Sequence, residues 1–283
     1  MSSFEYLAPN SVAEASALLA GREDATPIAG GTALVLLMHH ELVRPSRVVS
    51  LRGVRELRGV ALEDDGVLRI GAMTSLRDAE RSPLVRAHCA ALADAFAAVA
   101  TVRIRNQATV GGALAHADPA QDPPVMLTAL DAEVVVAGAE PARRSLDGFF
   151  RDVFTTALSA GELLTAVRVP PLPSGGRAAY LKFLPRTQDD YATVSVGAMA
   201  ARDASGRVTH LRVALGAAGP TVVRARAVES ALLGSRVDAA TLREAAALVR
   251  DQIDPFDDAR GTASYKREMA RVWTERALHA VLR

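Results

Sequence analysis

Cysteine is nearly absent. Cys89 stands alone in 283 residues, so the chain has no internal disulfide and cannot by itself ligate an iron–sulfur cluster, which takes four thiolates. Aromatic residues are only 4%, too few for a base-stacking platform along single strands. Charge of one sign is also lacking: the net charge is +1, and nothing in it points to nucleic acid or an anionic membrane surface. Long apolar runs are missing. The longest near the N-terminus, residues 33–38 (ALVLLM), is far short of the ~20 residues of a membrane helix. The opening MSSFEYLAPN has no basic start before an apolar stretch, so no signal peptide is expected. With a single cysteine, these absences predict a soluble protein of a reducing compartment, the cytoplasm. Three motifs are absent as well: G-x-G-x-x-G, the phosphate loop G-x-x-x-x-G-K-[ST] and the G-x-S-x-G nucleophile elbow.

What is present is an ordinary globular mixture, 49% hydrophobic and 23% charged. The first fifty residues read as helix, strand, glycine turn, helix, strand. Residues 60–71 read as a hairpin turning on Asp64-Asp65-Gly66. Thr74 is placed to cap a short helix through Glu80. Residues 90–100 predict an alanine-rich helix and 101–107 a basic irregular stretch. A second glycine turn follows within 109–122. Strands are expected at 132–137 and 163–169, with a helix at 126–130 before them. Residues 170–176 (PPLPSGG) mix stiff and flexible residues without apolar period and mark a domain boundary. Beyond it, strands are expected at 180–184, 192–201 and 208–217, then helices at 224–233, 239–252 and 264–282.

Two glycine pairs carry the candidate chemistry. Ala29-Gly30-Gly31-Thr32 lies between a strand and a helix. Paired glycines let a ligand approach the backbone and leave N–H groups open, and a helix start adds positive charge, a combination that suits phosphate. Thr109-Val110-Gly111-Gly112-Ala113 repeats the arrangement with a hydroxyl and exposed amides, and Asp122 downstream is placed to accept from a ribose or ribityl hydroxyl. A tight turn without ligand is the competing reading of each loop taken alone. Two loops together suit a dinucleotide, which has two phosphates and a long body. His39-His40 and His88-Cys89 are sequence neighbours, point apart on a helix and make poor metal pairs. His116 and Asp118 are an acid/base pair or caps of a turn. Arg103 and Arg105, alternating with Val102 and Ile104, are a solvated strand edge or a basic surface facing phosphate or a partner.

Taken together, PIAGGT at 27–32, VRIRNQATVGGALAHADPAQDPP at 102–124 and GELLTAVRVP at 161–170 resemble the FAD-binding medium subunit of molybdenum hydroxylases, the xanthine dehydrogenase and carbon monoxide dehydrogenase family. The resemblance runs over nearly the whole chain, and residues 104–123 are its specific part. It implies an α+β fold. A two-lobed FAD-binding domain of the vanillyl-alcohol-oxidase (PCMH) type would span 1–175, with lobes about 1–55 and 56–175, and a C-terminal domain with a small antiparallel sheet and helices would span 177–283. It implies that Ala29, Gly30, Gly31, Thr32, Ala33 and Leu34 wrap the FAD pyrophosphate, with Pro27 and Ile28 on the approach. Thr109, Gly111, Gly112 and Ala113 would touch pyrophosphate and ribityl, with Ala108 and Ala115 packing nearby and Asp122 as the acidic contact. Val99, Ala100 and Ile104 would line the cofactor, Leu163 and Leu164 its adenine side, and Lys182 the flavin.

The family often has Asp or Ser where Ala33 stands, and Asn or Ser where Ala113 stands. Each change removes one side-chain contact, worth about 1 kcal/mol, and leaves the backbone contacts. The function implied is electron transfer: from 2Fe-2S clusters on a small partner subunit, fed by a molybdenum-cofactor subunit, through FAD here to an external acceptor, in a dimer of heterotrimers. No metal ligand and no catalytic nucleophile or base is expected on this chain. A stand-alone FAD oxidoreductase of the same fold, a nucleotide-binding module without redox role and a structural subunit are the alternatives.

Overall fold

The computed structural model describes residues 3–22 and 24–283. Its first layer follows chain order: β1 (Glu5–Leu7), α1 (Val12–Leu19), β2 (Ala25–Ile28), α2 (Leu34–His39) and β3 (Arg47–Ser50). β3 lies centrally, parallel to both neighbours, in the order β1-β3-β2. Parallel neighbours need a crossover, and α2 with its loops supplies it between β2 and β3. The Ser11 hydroxyl caps α1 by accepting from the Glu14 amide, and α1 buries Ala15 and Leu19 against Val49 and Leu51. β1 was not expected; three residues are too few to show an alternating pattern.

The second layer comprises β4 (Val60–Leu62), β5 (Leu68–Gly71), α3 (Leu76–Arg81), α4 (Pro83–His88), α5 (Ala90–Ala97), α6 (Val102–Arg105), α7 (Val110–His116), α8 (Asp122–Ala129), β6 (Glu133–Ala137), β7 (Ala142–Ser145), β8 (Phe150–Asp152), β9 (Thr155–Thr156) and β10 (Leu163–Val169). Five of these strands form an antiparallel sheet in the order β4-β5-β10-β6-β7. The expected hairpin is β4–β5, turning through Gly66 at φ +78°. Phe96, Leu92, Leu114, Met126, Leu127, Val134 and Val167 fill the core between this sheet and its helices. Every residue of α8 is buried, so it is the central post of the molecule.

The third layer is β11 (Arg177–Phe183), β12 (Val194–Arg202), β13 (Val208–Gly216) and β14 (Val223–Arg224), antiparallel in that order, with α9 (Arg226–Leu232), α10 (Ala239–Ala247) and α11 (Ala263–Leu282). One face packs on those helices through Val194, Val213, Leu278 and Val281. The other packs on α8: a Cβ on Gly197 would lie 3.1 Å from the Val125 carbonyl oxygen, and one on Gly216 2.5 Å from a Val125 methyl. With both faces covered, β12 is buried along eight consecutive residues and shows no polar alternation. The stretch 170–176 links β10 to β11 without regular structure. Arginines of the third layer close the seam with the second: Arg212 Nε donates to Asp131 at 2.7 Å, and Arg224 Nη1 to Asp147 at 3.1 Å.

Several local expectations change. Ser75, not Thr74, caps α3, accepting from the Asp78 amide at 3.0 Å, while the Thr74 hydroxyl bonds the N–H and C=O of Gly59. Residues 102–105 are a single helical turn capped by Thr101, neither irregular nor a strand edge. Gly111 and Gly112 are not a turn but the first turn of α7. The helix Pro83–His88 and the strands β7, β8 and β9 were not expected. Among the described residues, no helix is long and apolar enough to cross a membrane.

Candidate cofactor site

The two glycine loops, far apart in sequence, meet backbone to backbone. A Cβ on Gly30 would lie 1.9 Å from the carbonyl oxygen of Gln107 and 3.0 Å from the Cα of Ala108, so only glycine fits. From the other side, a Cβ on Gly112 would lie 3.6 Å from the Ala29 methyl. Gly31 sits at φ +74°, where glycine bears no steric cost. Gly111 is pressed on Ala72, and its N–H donates to the Ala72 carbonyl at 2.8 Å.

The loops offer different chemistry. Among the described residues, no acceptor meets the amides of Gly30, Gly31, Thr32 or Ala33, and no side chain caps α2. Four successive donors are therefore open to an anion. The second loop was expected to expose its amides too, and it does not. Gly111 N–H is spent on Ala72; Gly112 N–H donates to the Thr109 hydroxyl at 3.0 Å, and Ala113 N–H to the Thr109 carbonyl at 2.9 Å. These bonds start α7 and leave the second loop as a wall carrying one hydroxyl. Ala108 and Ala113 are buried in that wall, and Ala115 is exposed on the next turn of α7.

A cavity of about 550 Å³ is lined by Ala100, Thr101, Arg103, Arg105, Lys182 and Leu184 among others. Ala100 takes φ +40°, strained for a residue with a side chain. Val99 is half-buried, and Ile104 is 39% exposed on α6 next to the cavity. Lys182 reaches in from β11 and is nearly buried, with Nζ donating to the Ala98 carbonyl at 2.8 Å and to Asp122 Oδ2 at 3.0 Å. The Tyr180 hydroxyl, two residues back on the same face of β11, donates to the other oxygen of Asp122. Asp122 was expected to receive a sugar hydroxyl, but both of its oxygens are held by protein. Burial pushes its carboxyl up to about 6, against the pull of the Lys182 charge and the Tyr180 hydrogen bond. Burial and the neighbouring carboxylate hold the Tyr180 phenol well above its usual range.

The remaining candidates divide. Leu163 is buried in the first-layer core, beside which Ala29 packs, whereas the Leu164 side chain lies in the second-layer core, away from the Lys182 cavity. Pro27 and Ile28 end β2 and lead into the first loop. His116 is no acid/base partner of Asp118. Its ring stacks on Phe154 at 4.9 Å, burial lowers its pKa, and Asp118 Oδ1 accepts from the Ala120 amide, capping the turn. Arg105 lines the cavity with its donors engaged inside the chain: Nη1 donates to the carbonyls of Val99 and Ala100 at 2.8 and 2.7 Å, and Nε to Glu80 at 2.9 Å. Sequence reasoning missed Tyr180 and the role of Arg105. The i, i+2 spacing of Tyr180 and Lys182 on a strand was the one available signal.

Comparison with known proteins shows the family. Residues 2–172 match the FAD binding domain in molybdopterin dehydrogenase, and residues 179–281 the CO dehydrogenase flavoprotein C-terminal domain. The chain is 37% identical to the carbon monoxide dehydrogenase medium chain of Hydrogenophaga pseudoflava over 98% of its own length and 96% of that protein. It is 33% identical to the glyceraldehyde dehydrogenase medium chain of Sulfolobus acidocaldarius, covering 98% of each. The solved carbon monoxide dehydrogenase from H. pseudoflava that lacks the Mo-pyranopterin moiety superposes with a TM-score of 0.95, over 99% of this chain and 97% of that one. Two domain matches that together take in almost every residue, at this identity and coverage, assign the chain to the FAD-binding medium subunits of the molybdenum hydroxylase family.

Proposed function

We propose that this chain is the electron-outlet subunit of a cytoplasmic molybdenum hydroxylase. It would receive electrons from 2Fe-2S clusters on a small subunit, fed by a molybdenum-cofactor subunit, and pass them through FAD to an external acceptor, in a dimer of heterotrimers. Its relatives are named as medium chains of carbon monoxide and glyceraldehyde dehydrogenases, and a lone cysteine leaves the clusters to partners. The proposed organisation is a two-lobed FAD-binding domain of the PCMH type over 1–175, with lobes about 1–55 and 56–175, and a C-terminal domain over 177–283.

The observation that carries this reading is the row of four unpaired amides at Gly30–Ala33, wedged against the second glycine loop; the cavity that Lys182 lines would take the flavin ring. The amides would hold the pyrophosphate, and the Thr109 hydroxyl would reach the ribityl chain. Ala100, Val99, Ile104 and Lys182 would border the flavin ring, and Leu163 and Leu164 would shape the adenine side from beneath. Asp122 acts through Lys182, which it neutralises and aims. FAD, when bound, supplies the switch between paired and single electrons. The protein supplies position, charge and exclusion of water, and no side chain has to act as nucleophile or general base.

The test is an absorption spectrum of the purified chain, with the released cofactor identified by mass. FAD at about one per chain supports the reading. No flavin, even after incubation with FAD, would return the chain to a structural role in the same complex.

A further inference from the structure

Three consecutive carbonyls at the cavity wall are each taken by a cation. Ala98 O accepts from Lys182 Nζ at 2.8 Å, and Val99 O and Ala100 O accept from the single Nη1 of Arg105. Each cation is anchored in turn by a carboxylate: Lys182 by Asp122, and Arg105 by Glu80, which Arg77 also pairs. Arg105 and Glu80 are both largely buried, at 12% and 13% side-chain exposure, so this is no solvated surface pair. A left-handed Ala100 costs about 1 kcal/mol and persists only where its surroundings enforce it.

The peptide group translates this clamp into a site. In a trans peptide the C=O and the following N–H point in opposite directions, and no described peptide is cis. With Val99 O and Ala100 O turned toward Arg105, the N–H groups of Ala100 and Thr101 must turn away from it. Among the described residues neither amide meets an acceptor, and both residues line the cavity together with Lys182 and Arg105 itself.

We propose that Arg105 is a positioning residue of the flavin site. By holding the Ala98–Ala100 turn it aims the Ala100 and Thr101 amides, beside the Lys182 ammonium, at the electron-rich carbonyl edge of the flavin ring, and so raises the flavin potential. Donors at that edge stabilise the ring more as it gains negative charge, which is why they move the potential as well as the affinity. The inference rests on the FAD reading above and adds to it a residue of the cavity wall whose donors are spent on the backbone.

The test is a potentiometric titration of the FAD-loaded full chain, with the visible flavin spectrum recorded in the same cell. Arg105→Met is expected to lower the potential, change the band shape and weaken FAD binding about tenfold, the loss of roughly one hydrogen bond. Arg105→Lys, whose ammonium retains part of the clamp, should fall between Arg105→Met and wild type. Leu211→Ala, buried in the C-terminal sheet, controls for lost stability and should leave potential and spectrum unchanged. Should Arg105→Met fail to fold or to hold FAD, Arg105→Lys and Glu80→Gln decide on the same readouts. Wild-type potential and spectrum in the variants that hold FAD would overturn the inference. A wild-type chain that takes up no FAD is a separate failure, that of the proposed function.

Discussion

The carbonyl oxygen of Gln107 occupies the space where Gly30 would carry a methyl group, only 1.9 Å from that ideal position. This contact joins the two glycine loops, and it orders the glycines by consequence. Gly30→Ala should cost about 3 kcal/mol, because backbone rather than a pliable side chain has to move, and should empty the site. Gly111→Ala, meeting Ala72 at 2.5 Å, should behave alike. Gly112→Ala, whose nearest obstacle is the Thr109 hydroxyl, should retain most FAD. Thermal midpoints and FAD content of the three variants check the ranking; equal losses in all three would contradict it.

Thr109 caps α7 through its hydroxyl, and Thr109→Val removes that acceptor while keeping the shape. A lost cap costs about 1 kcal/mol. Thr109→Ser should recover both stability and FAD affinity, as read by chemical denaturation and flavin titration.

Asp122 makes stability fall with rising pH. Its carboxyl goes from 3.8 when free to about 6 in the folded chain, so the folded state holds the proton more tightly. The contribution is full below pH 4 and is lost as pH rises through about 6, a swing of at most about 3 kcal/mol. Asp122→Asn should therefore differ least from wild type above pH 7 in pH slope, and most between pH 4 and 6. Melting curves across that range check the sign.

Arg224 pairs with Asp131, Asp147 and Glu229, and only 12% of its side chain is exposed. Arg224→Met would leave Glu229 buried without its cation, at a cost of about 3–5 kcal/mol. Because Asp131 and Asp147 belong to the second layer, the seam should also loosen. Proteinase K is expected to cut residues 170–176 faster in the variant; unchanged cleavage would show that the seam is held by apolar packing alone.

The parts of the fold legible in the sequence were those with long, punctuated periods. β10 was located to the residue, and β13 and α11 to within one. The strands of the 142–156 region were not legible, because elements of two to four residues such as ARRS carry no period. At the site, the glycine pairs gave the position but not the division of labour. Adjacent glycines read as a turn, yet the Thr109 cap and the press of Gly111 on Ala72 hold the second pair in a helix and use up its amides. Arg105 and Tyr180 were opaque for another reason. Their partners Glu80 and Asp122 are remote in sequence, and nothing local marks a pair that only folding creates.

The Lys182 that lines the cavity proposed for the flavin belongs to β11, in the sheet built last from the chain. A ribosome that has released both glycine pairs has still not made that cavity complete. On the proposed placement of the flavin, loading with FAD waits for the finished chain. A chain cut short at the 170–176 link would leave Asp122 and the Ala98 carbonyl facing no ammonium, a pocket wall with its charge unanswered.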